Sequence, residues 1–221
     1  MRLVLFDCDG TLVDSGRLIH EVMRRTFLSY GLPEPDYAAT KAIIGLTLDI
    51  AIARVAGRTH VDDEVLAMTQ HYKDIYGGVR AEAGFQEPLF AGIDTMMATL
   101  EADEALLLGA VTGKSRRGLN LISEAHGFGK TFFVSRTADD CPSKPHPAMV
   151  TECCAEAGID AARTIVIGDS VYDMRMAINA GAIPIGVSWG YASVSDLADA
   201  GARHIVRTPH EIVDWLEENN V

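Results

Sequence analysis

Four cysteines in 221 residues, at positions 8, 141, 153 and 154, offer no Cys-x-x-Cys pair and no spacing of the kind that holds zinc. The vicinal pair Cys153-Cys154 is poorly suited to a structural disulfide, so a reducing cytoplasm is the expected compartment. Positive charge is also scarce: 19 Lys plus Arg stand against 31 Asp plus Glu, a formal net charge of −12. A field of that sign repels nucleic acid and anionic membrane surfaces, which excludes both as expected partners. It would repel a phosphorylated metabolite too, so any anion site must bring its own cations. No apolar run reaches the ~18 residues that would suggest a membrane span, and Met1 leads directly into Leu3 to Phe6 without room for a secretory leader. Internal repeats, low-complexity tracts and long linkers are missing as well. With 48% hydrophobic and 23% charged residues, the chain suits a soluble globular protein of one large or two small domains.

What is present is concentrated near the start, in Leu3-Val4-Leu5-Phe6-Asp7-Cys8-Asp9-Gly10-Thr11. An apolar strand stops at two carboxylates whose i, i+2 spacing points them to one side. Such a pair repels and raises its own pKa values unless a cation lies between, and a hard divalent ion such as Mg²⁺ supplies that charge. Asp7 can then attack phosphorus while Asp9 exchanges a proton with the leaving group. The alternative is an Asp-rich turn that only caps the next helix.

Further along, Ser15 is placed to cap a helix through Leu18, Ile19, Val22, Met23 and Phe27, ended by Gly31 and Pro33. Helices are expected over Thr47–Ala56 and Val61–Tyr76, the latter closed by Gly77-Gly78. Beyond Pro88, strands and helices alternate. Strands are expected at 105–111, 131–135, 164–167, 183–187 and 205–206, with helices at 116–125, 147–157, 171–180 and 210–218. The fold class is therefore α/β, a Rossmann-like parallel sheet with residues 1–14 and 88–221 as core and an all-helical block, 15–87, inserted as a cap.

Ligands bind outside the carboxyl ends of parallel strands, so the polar residues there carry the information. Besides Asp7 and Asp9, these are Thr112-Gly113-Lys114-Ser115, Ser143-Lys144-Pro145-His146-Pro147 and Gly168-Asp169-Ser170-x-x-Asp173. Thr112 and the Gly113 N–H can hold phosphate oxygens, and Lys144 supplies a compact positive charge. Asp169 would complete a metal site, with Asp173 supporting it through water or through Lys144.

These four motifs, in order and each at the end of its element, resemble the haloacid dehalogenase superfamily over nearly the whole chain. The helical insertion is similar to the cap of the phosphoglycolate phosphatase and beta-phosphoglucomutase branch. The Thr112–Arg116 and Pro142–Pro147 segments look most like the phosphoglycolate phosphatase group. The resemblance implies Mg²⁺ held by Asp7, the main-chain carbonyl of Asp9, and Asp169. It implies phosphoryl binding by Thr112, Gly113 and Lys144, an aspartyl-phosphate on Asp7, and Asp9 as general acid and then base. Asp9 argues against dehalogenases and phosphonatases, which lack it. Ile44 and Leu48 around Gly45, where the mutases place Lys and Arg, disfavour a sugar-phosphate mutase.

The expected activity is Mg²⁺-dependent hydrolysis of a small phosphorylated metabolite, phosphoglycolate first. A pyrophosphatase or sugar-phosphate phosphatase is the alternative, and a catalytically silent phosphate-binding module is the non-enzyme one. Cys8, Cys153 and Cys154 read as core, His146 as a surface residue at a helix start, and Asp14 as a possible cap. Arg17, Lys41 and Arg54 are the cations that could meet a substrate carboxylate, although solvated roles suit each. Trp189-Gly190-Tyr191 reads as packing, with the pocket rim as its other possible place.

Overall fold

Strand β1 (Arg2–Phe6) alternates between two faces, and each face carries its own core. Val4, Phe6 and Cys8 pack on one side with Leu108, Ala110, Ile165 and Ile167, whereas Leu3 and Leu5 pack on the other with Val111 and Val166. A strand buried on both sides is apolar throughout rather than alternating, which is why Leu3 to Phe6 reads as a continuous run. In the computed structural model, which describes residues 1–219, five further strands join it: β2 (Leu106–Val111), β3 (Val134–Arg136), β4 (Thr164–Gly168), β5 (Ile183–Val187) and β6 (His204–Val206). All pairings are parallel, in the order β3-β2-β1-β4-β5-β6. The direction of winding reverses at β1, so the crevice between the ends of β1 and β4 is where such a sheet receives a ligand.

Ten helices accompany the sheet among the described residues: α1 (Gly16–Ser29), α2 (Tyr37–Lys41), α3 (Leu48–Val55), α4 (Asp63–Arg80), α5 (Ile93–Glu101), α6 (Arg116–His126), α7 (Ala148–Ala157), α8 (Val171–Ala180), α9 (Val194–Asp199) and α10 (Pro209–Glu218). Helices α5, α6 and α10 cover one face with Ile93, Met96, Leu119 and Ile212, while α7 and α8 cover the other with Met149, Cys153 and Met176. Helices α1 to α4 contribute to neither face. Their buried residues, among them Leu18, Val22, Ile52, Val65 and Met68, form a separate cluster. The two chain crossings between this block and the sheet run side by side, the Asp14 N–H donating to the Pro88 carbonyl at 2.9 Å and the Phe90 N–H to Leu12 at 3.1 Å.

Sequence analysis assigns no helix to α2, α5 or α9. It also ends α4 too early, because the helix runs through Gly77 and Gly78 to Arg80. Two helical glycines cost roughly 1 kcal/mol each relative to alanine. The last turn gains burial of Val79, at 1% exposed, and the ion pair of Arg80 with Glu87. Strand β3 is shorter and later than its apolar run suggests, since it is an edge strand held only by β2. Ser15 precedes α1 without capping it through its side chain.

Candidate active site

Asp7 follows β1 directly and is 1% exposed. Its Oδ1 accepts the Cys8 N–H at 2.7 Å and lies 3.0 Å from Lys144 Nζ, while its Oδ2 is buried with no hydrogen-bond partner among the described residues. Lys144, 2% exposed, also reaches Asp173 Oδ1 at 2.6 Å. Asp173 is fixed in turn by a capping box with Ser170 at the start of α8. Asp169 follows β4, its Oδ1 accepting from the Thr11 hydroxyl at 3.2 Å and its Oδ2 from the Tyr191 N–H at 2.8 Å. Oxygens of Asp7, Asp169 and Asp173 lie within 4.8 Å of one another. Gly10, at φ +82°, passes so near Asp169 that a Cβ there would overlap its carboxylate, so a glycine suits this turn on both counts.

The electrostatics of this cluster are unbalanced. Burial, countered by Lys144 and reinforced by Asp173 and Asp9, pushes the Asp7 carboxyl up to about 7. Burial together with the charges of Asp173 and Asp7 lifts Asp169 well above the carboxylate range. Burial works against the Lys144 ammonium, yet Asp173 and Asp7 outweigh it and hold it firmly protonated. Three carboxylates face one lysine, and the donors are all hard oxygens. That set fits Mg²⁺, and the orphaned Asp7 Oδ2 is the atom such an ion would satisfy.

Asp9 is turned elsewhere. The shared side expected from i, i+2 spacing does not persist past the strand end, because the chain turns at Gly10. The cation beside the Asp9 carboxylate is Lys114, 2.8 Å from Oδ1, which also accepts from the Ser15 hydroxyl. Its side chain is therefore not in the Asp7, Asp169 and Asp173 cluster, and a metal role for Asp9 would fall to its main-chain carbonyl. Asp173, expected only as a supporting residue, is part of that cluster.

Thr112, fully buried, follows β2. The helical block presses on the neighbouring Gly113: a Cβ there would lie 2.5 Å from the Leu46 carbonyl and 2.8 Å from that of Gly45. Around this contact the Thr47 N–H donates to Ser143 Oγ at 2.9 Å, and Tyr172 OH donates to the Ala42 carbonyl at 3.1 Å. Two cations of the block stand over tyrosines near the strand ends, Arg54 over Tyr172 in the first turn of α8 and Lys41 over Tyr191 in the loop after β5, at 5.5 and 5.9 Å from the ring centres. Arg54 is exposed and Lys41 half-buried; Arg17 and His146 are exposed.

Five contributors escaped sequence reasoning. Lys114 and Glu87 form a buried pair, and Ser15 holds Asp9 instead of capping α1. The loop after β5 is more than packing, since Tyr191 donates its N–H to Asp169 and its hydroxyl accepts the Gly16 N–H at 2.7 Å. Trp189 Nε1 donates to the Thr11 carbonyl at 3.0 Å. The glycine between them was the available signal, because a loop that passes over a strand end without a Cβ can approach a buried carboxylate.

Residues 4–187 match the model of the haloacid dehalogenase-like hydrolases. The chain belongs to that family. The phosphoglycolate phosphatase of Yersinia pseudotuberculosis serotype I (strain IP32953) is 32% identical over 86% of this chain and 82% of its own. A Dickeya dadantii (strain 3937) protein named "Probable phosphatase IndB" is 32% identical over 96% of this chain and 91% of its own. Among solved structures, a hydrolase from Pseudomonas syringae superposes with a TM-score of 0.86 at 21% identity, covering 99% of both chains. Within this family fold, the acidic cluster lies at the reversal point of the sheet, and no helix of the described residues is long and apolar enough to cross a membrane.

Proposed function

We propose that this protein hydrolyses a small phosphorylated metabolite through an aspartyl-phosphate on Asp7, with Mg²⁺ as cofactor and phosphoglycolate as the favoured substrate. The chain is a phosphoric monoester hydrolase of its family. The observation that carries the mechanistic reading is the buried, unpartnered Oδ2 of Asp7 in a cluster with one lysine and two further carboxylates. Mg²⁺ would be held by Asp7, the Asp9 carbonyl and Asp169, and when bound it supplies charge neutralisation for the phosphoryl oxygens.

The remaining work belongs to the side chains. Lys144, kept charged by Asp173 and Asp7, attracts the phosphoryl group together with Thr112 and the Gly113 N–H. An Asp7 carboxylate oxygen forms the bond to phosphorus as the ester P–O bond breaks, and Asp9 gives a proton to the departing oxygen. Asp9 then takes a proton from the water that hydrolyses the acyl phosphate. Asp173 acts by fixing Lys144.

In this reading residues 15–87 act as a cap over a core of 1–14 and 88–221. The side chains of the site are buried, so substrate entry requires the cap to lift, and closure expels water. The contact of Gly45 and Leu46 on Gly113 favours a small leaving group. Lys41, half-buried near the Tyr191 loop, supports one that carries a carboxylate. Four unbridged, buried cysteines support a cytoplasmic setting.

Phosphate release from p-nitrophenyl phosphate tests the reaction, and a panel containing phosphoglycolate tests the substrate. Turnover that vanishes with chelator and returns with Mg²⁺ is expected. Full activity in chelator, or a panel in which phosphoglycolate ranks with the poorest substrates, would refute the metal or the substrate respectively.

A further inference from the structure

Lys114 has no part in the phosphoryl site, yet its side chain is only 8% exposed. Its Nζ lies 2.8 Å from Asp9 Oδ1 and 2.7 Å from Glu87 Oε1. Glu87 is itself held from three directions. Tyr76 OH donates to Oε1 at 3.0 Å, Arg80 Nε to Oε2 at 2.8 Å, and His126 Nε2 lies 2.8 Å from the Glu87 carbonyl. Tyr76 and Arg80 belong to the last turns of α4, the segment that continues through the two glycines. A continuous chain of polar contacts therefore runs from α4 through Glu87 and Lys114 to Asp9, ending two residues from the nucleophile position.

An aspartate on a loop has several staggered side-chain orientations, and only some place an oxygen where a leaving group departs. Here the ion pair with Lys114 is made through Asp9 Oδ1, which also accepts from the Ser15 hydroxyl. Oδ2 accepts no hydrogen bond among the described residues. A brace that is buried and itself braced restricts rotation in a way that a solvated ion pair does not.

We propose that Lys114, locked by Glu87, is the positioning residue for the acid–base aspartate: it anchors Asp9 Oδ1 so that Oδ2 passes the proton to the leaving oxygen. The inference rests on the phosphatase reading given above. As the bond from Asp7 to phosphorus forms and the ester P–O bond breaks, the electron pair stays on the departing oxygen, which takes the proton from Oδ2 and leaves Asp9 as a carboxylate. Departing groups that are already stable anions need this proton little, whereas basic ones need it greatly.

The test uses the full chain and a series of substituted phenyl phosphates of similar shape, comparing kcat/KM, which reports the steps through departure of the phenol. In Lys114→Met and Glu87→Gln, kcat/KM should depend more steeply on leaving-group basicity. Unsubstituted phenyl phosphate should lose at least about tenfold more than p-nitrophenyl phosphate. The double variant Lys114→Met/Glu87→Gln removes one charge of each sign, and it should show the same steepening if either single variant fails to fold. Equal losses across the series in a folded variant, or no loss at all, would overturn the proposal and leave Lys114 a structural brace. A wild-type protein that turns over none of the series would refute the phosphatase reading on which the proposal stands.

Discussion

Two buried lysines each bridge two carboxylates, and the surroundings of the two bridges differ. Lys144 joins Asp7 and Asp173 at 3.0 and 2.6 Å, and Lys114 joins Asp9 and Glu87 at 2.8 and 2.7 Å. Beside Lys144 stands a third carboxylate, Asp169, and among the described residues there is no second cation for it and no partner for one Asp7 oxygen. Beside Lys114 stands Arg80, which pairs with the free oxygen of Glu87. The first bridge thus carries two excess negative charges when its acids are ionised, and the second is neutral. An incomplete buried cluster is a place for a ligand, because an unpaired charge there is costly until something compensates it. A complete one holds geometry.

The most severe way to break this contrast is at the nucleophile. Asp7→Asn should reduce turnover to background while the circular dichroism spectrum stays that of a folded protein. Asp9→Asn should lower kcat by about 10²- to 10⁴-fold, the usual range for a lost acid–base group. Retained activity in a purified Asp7→Asn sample would remove the covalent mechanism.

Metal removal is expected to have the next largest effect. Mg²⁺ should raise the melting temperature of the wild type, and this rise should be lost in Asp169→Asn but kept in Glu87→Gln. Ca²⁺ should inhibit, since its larger and looser coordination shell displaces the groups around it. Equal Mg²⁺ shifts in both variants would erase the distinction between the two bridges.

The neutral bridge is sharpened by pH. Burial works against the Glu87 carboxylate, yet Lys114, Arg80 and Tyr76 outweigh it and hold its pKa below the ordinary 4.5. A carboxylate depressed in the folded state contributes stability that is present above its unfolded value and lost as pH falls through the folded one. Glu87→Gln should therefore cost about 3 kcal/mol at pH 7, as is usual when one partner of a buried pair is removed. The difference from wild type should narrow as urea melts are repeated below pH 4.5, and a gap independent of pH would contradict the assignment.

The smallest effect is expected outside both bridges. Lys41→Ala should raise KM for phosphoglycolate by up to about fivefold, the scale of one partly screened ion pair. It should leave p-nitrophenyl phosphate nearly unaffected. A parallel change in both would place Lys41 in cap closure rather than in recognition.

The strand-end residues were legible because the reading depends on local order alone. Asp7, Thr112 and Asp169 directly follow apolar strands, Asp173 lies in the first turn of α8 and Lys144 in the proline-flanked loop before α7, and the fold brings Asp7, Lys144, Asp169 and Asp173 together. The orientation of Asp9 was not legible, since it depends on Lys114 and Ser15 meeting across a turn. Glu87 lies between a helix and a proline, where no periodicity marks it. Among the helices, α5 did carry a signal in Ile93, Met96, Met97 and Leu100 at helical spacing. Five-residue α2 and six-residue α9 are too short for periodicity to declare them.

The hydrogen bond from Trp189 to the Thr11 carbonyl gives the protein an optical handle on its own chemistry. Thr11 also bonds Asp169, so an event at that carboxylate is felt by an indole two links away. The other tryptophan, Trp215 on α10, packs beside the same sheet face, and its carbonyl accepts from Asn219, whose own carbonyl accepts from Arg2 at the start of β1. One fluorophore is thus wired to the carboxylate and the other to the opposite end of the central strand. Their emission can be read as signal and internal reference without attaching any label.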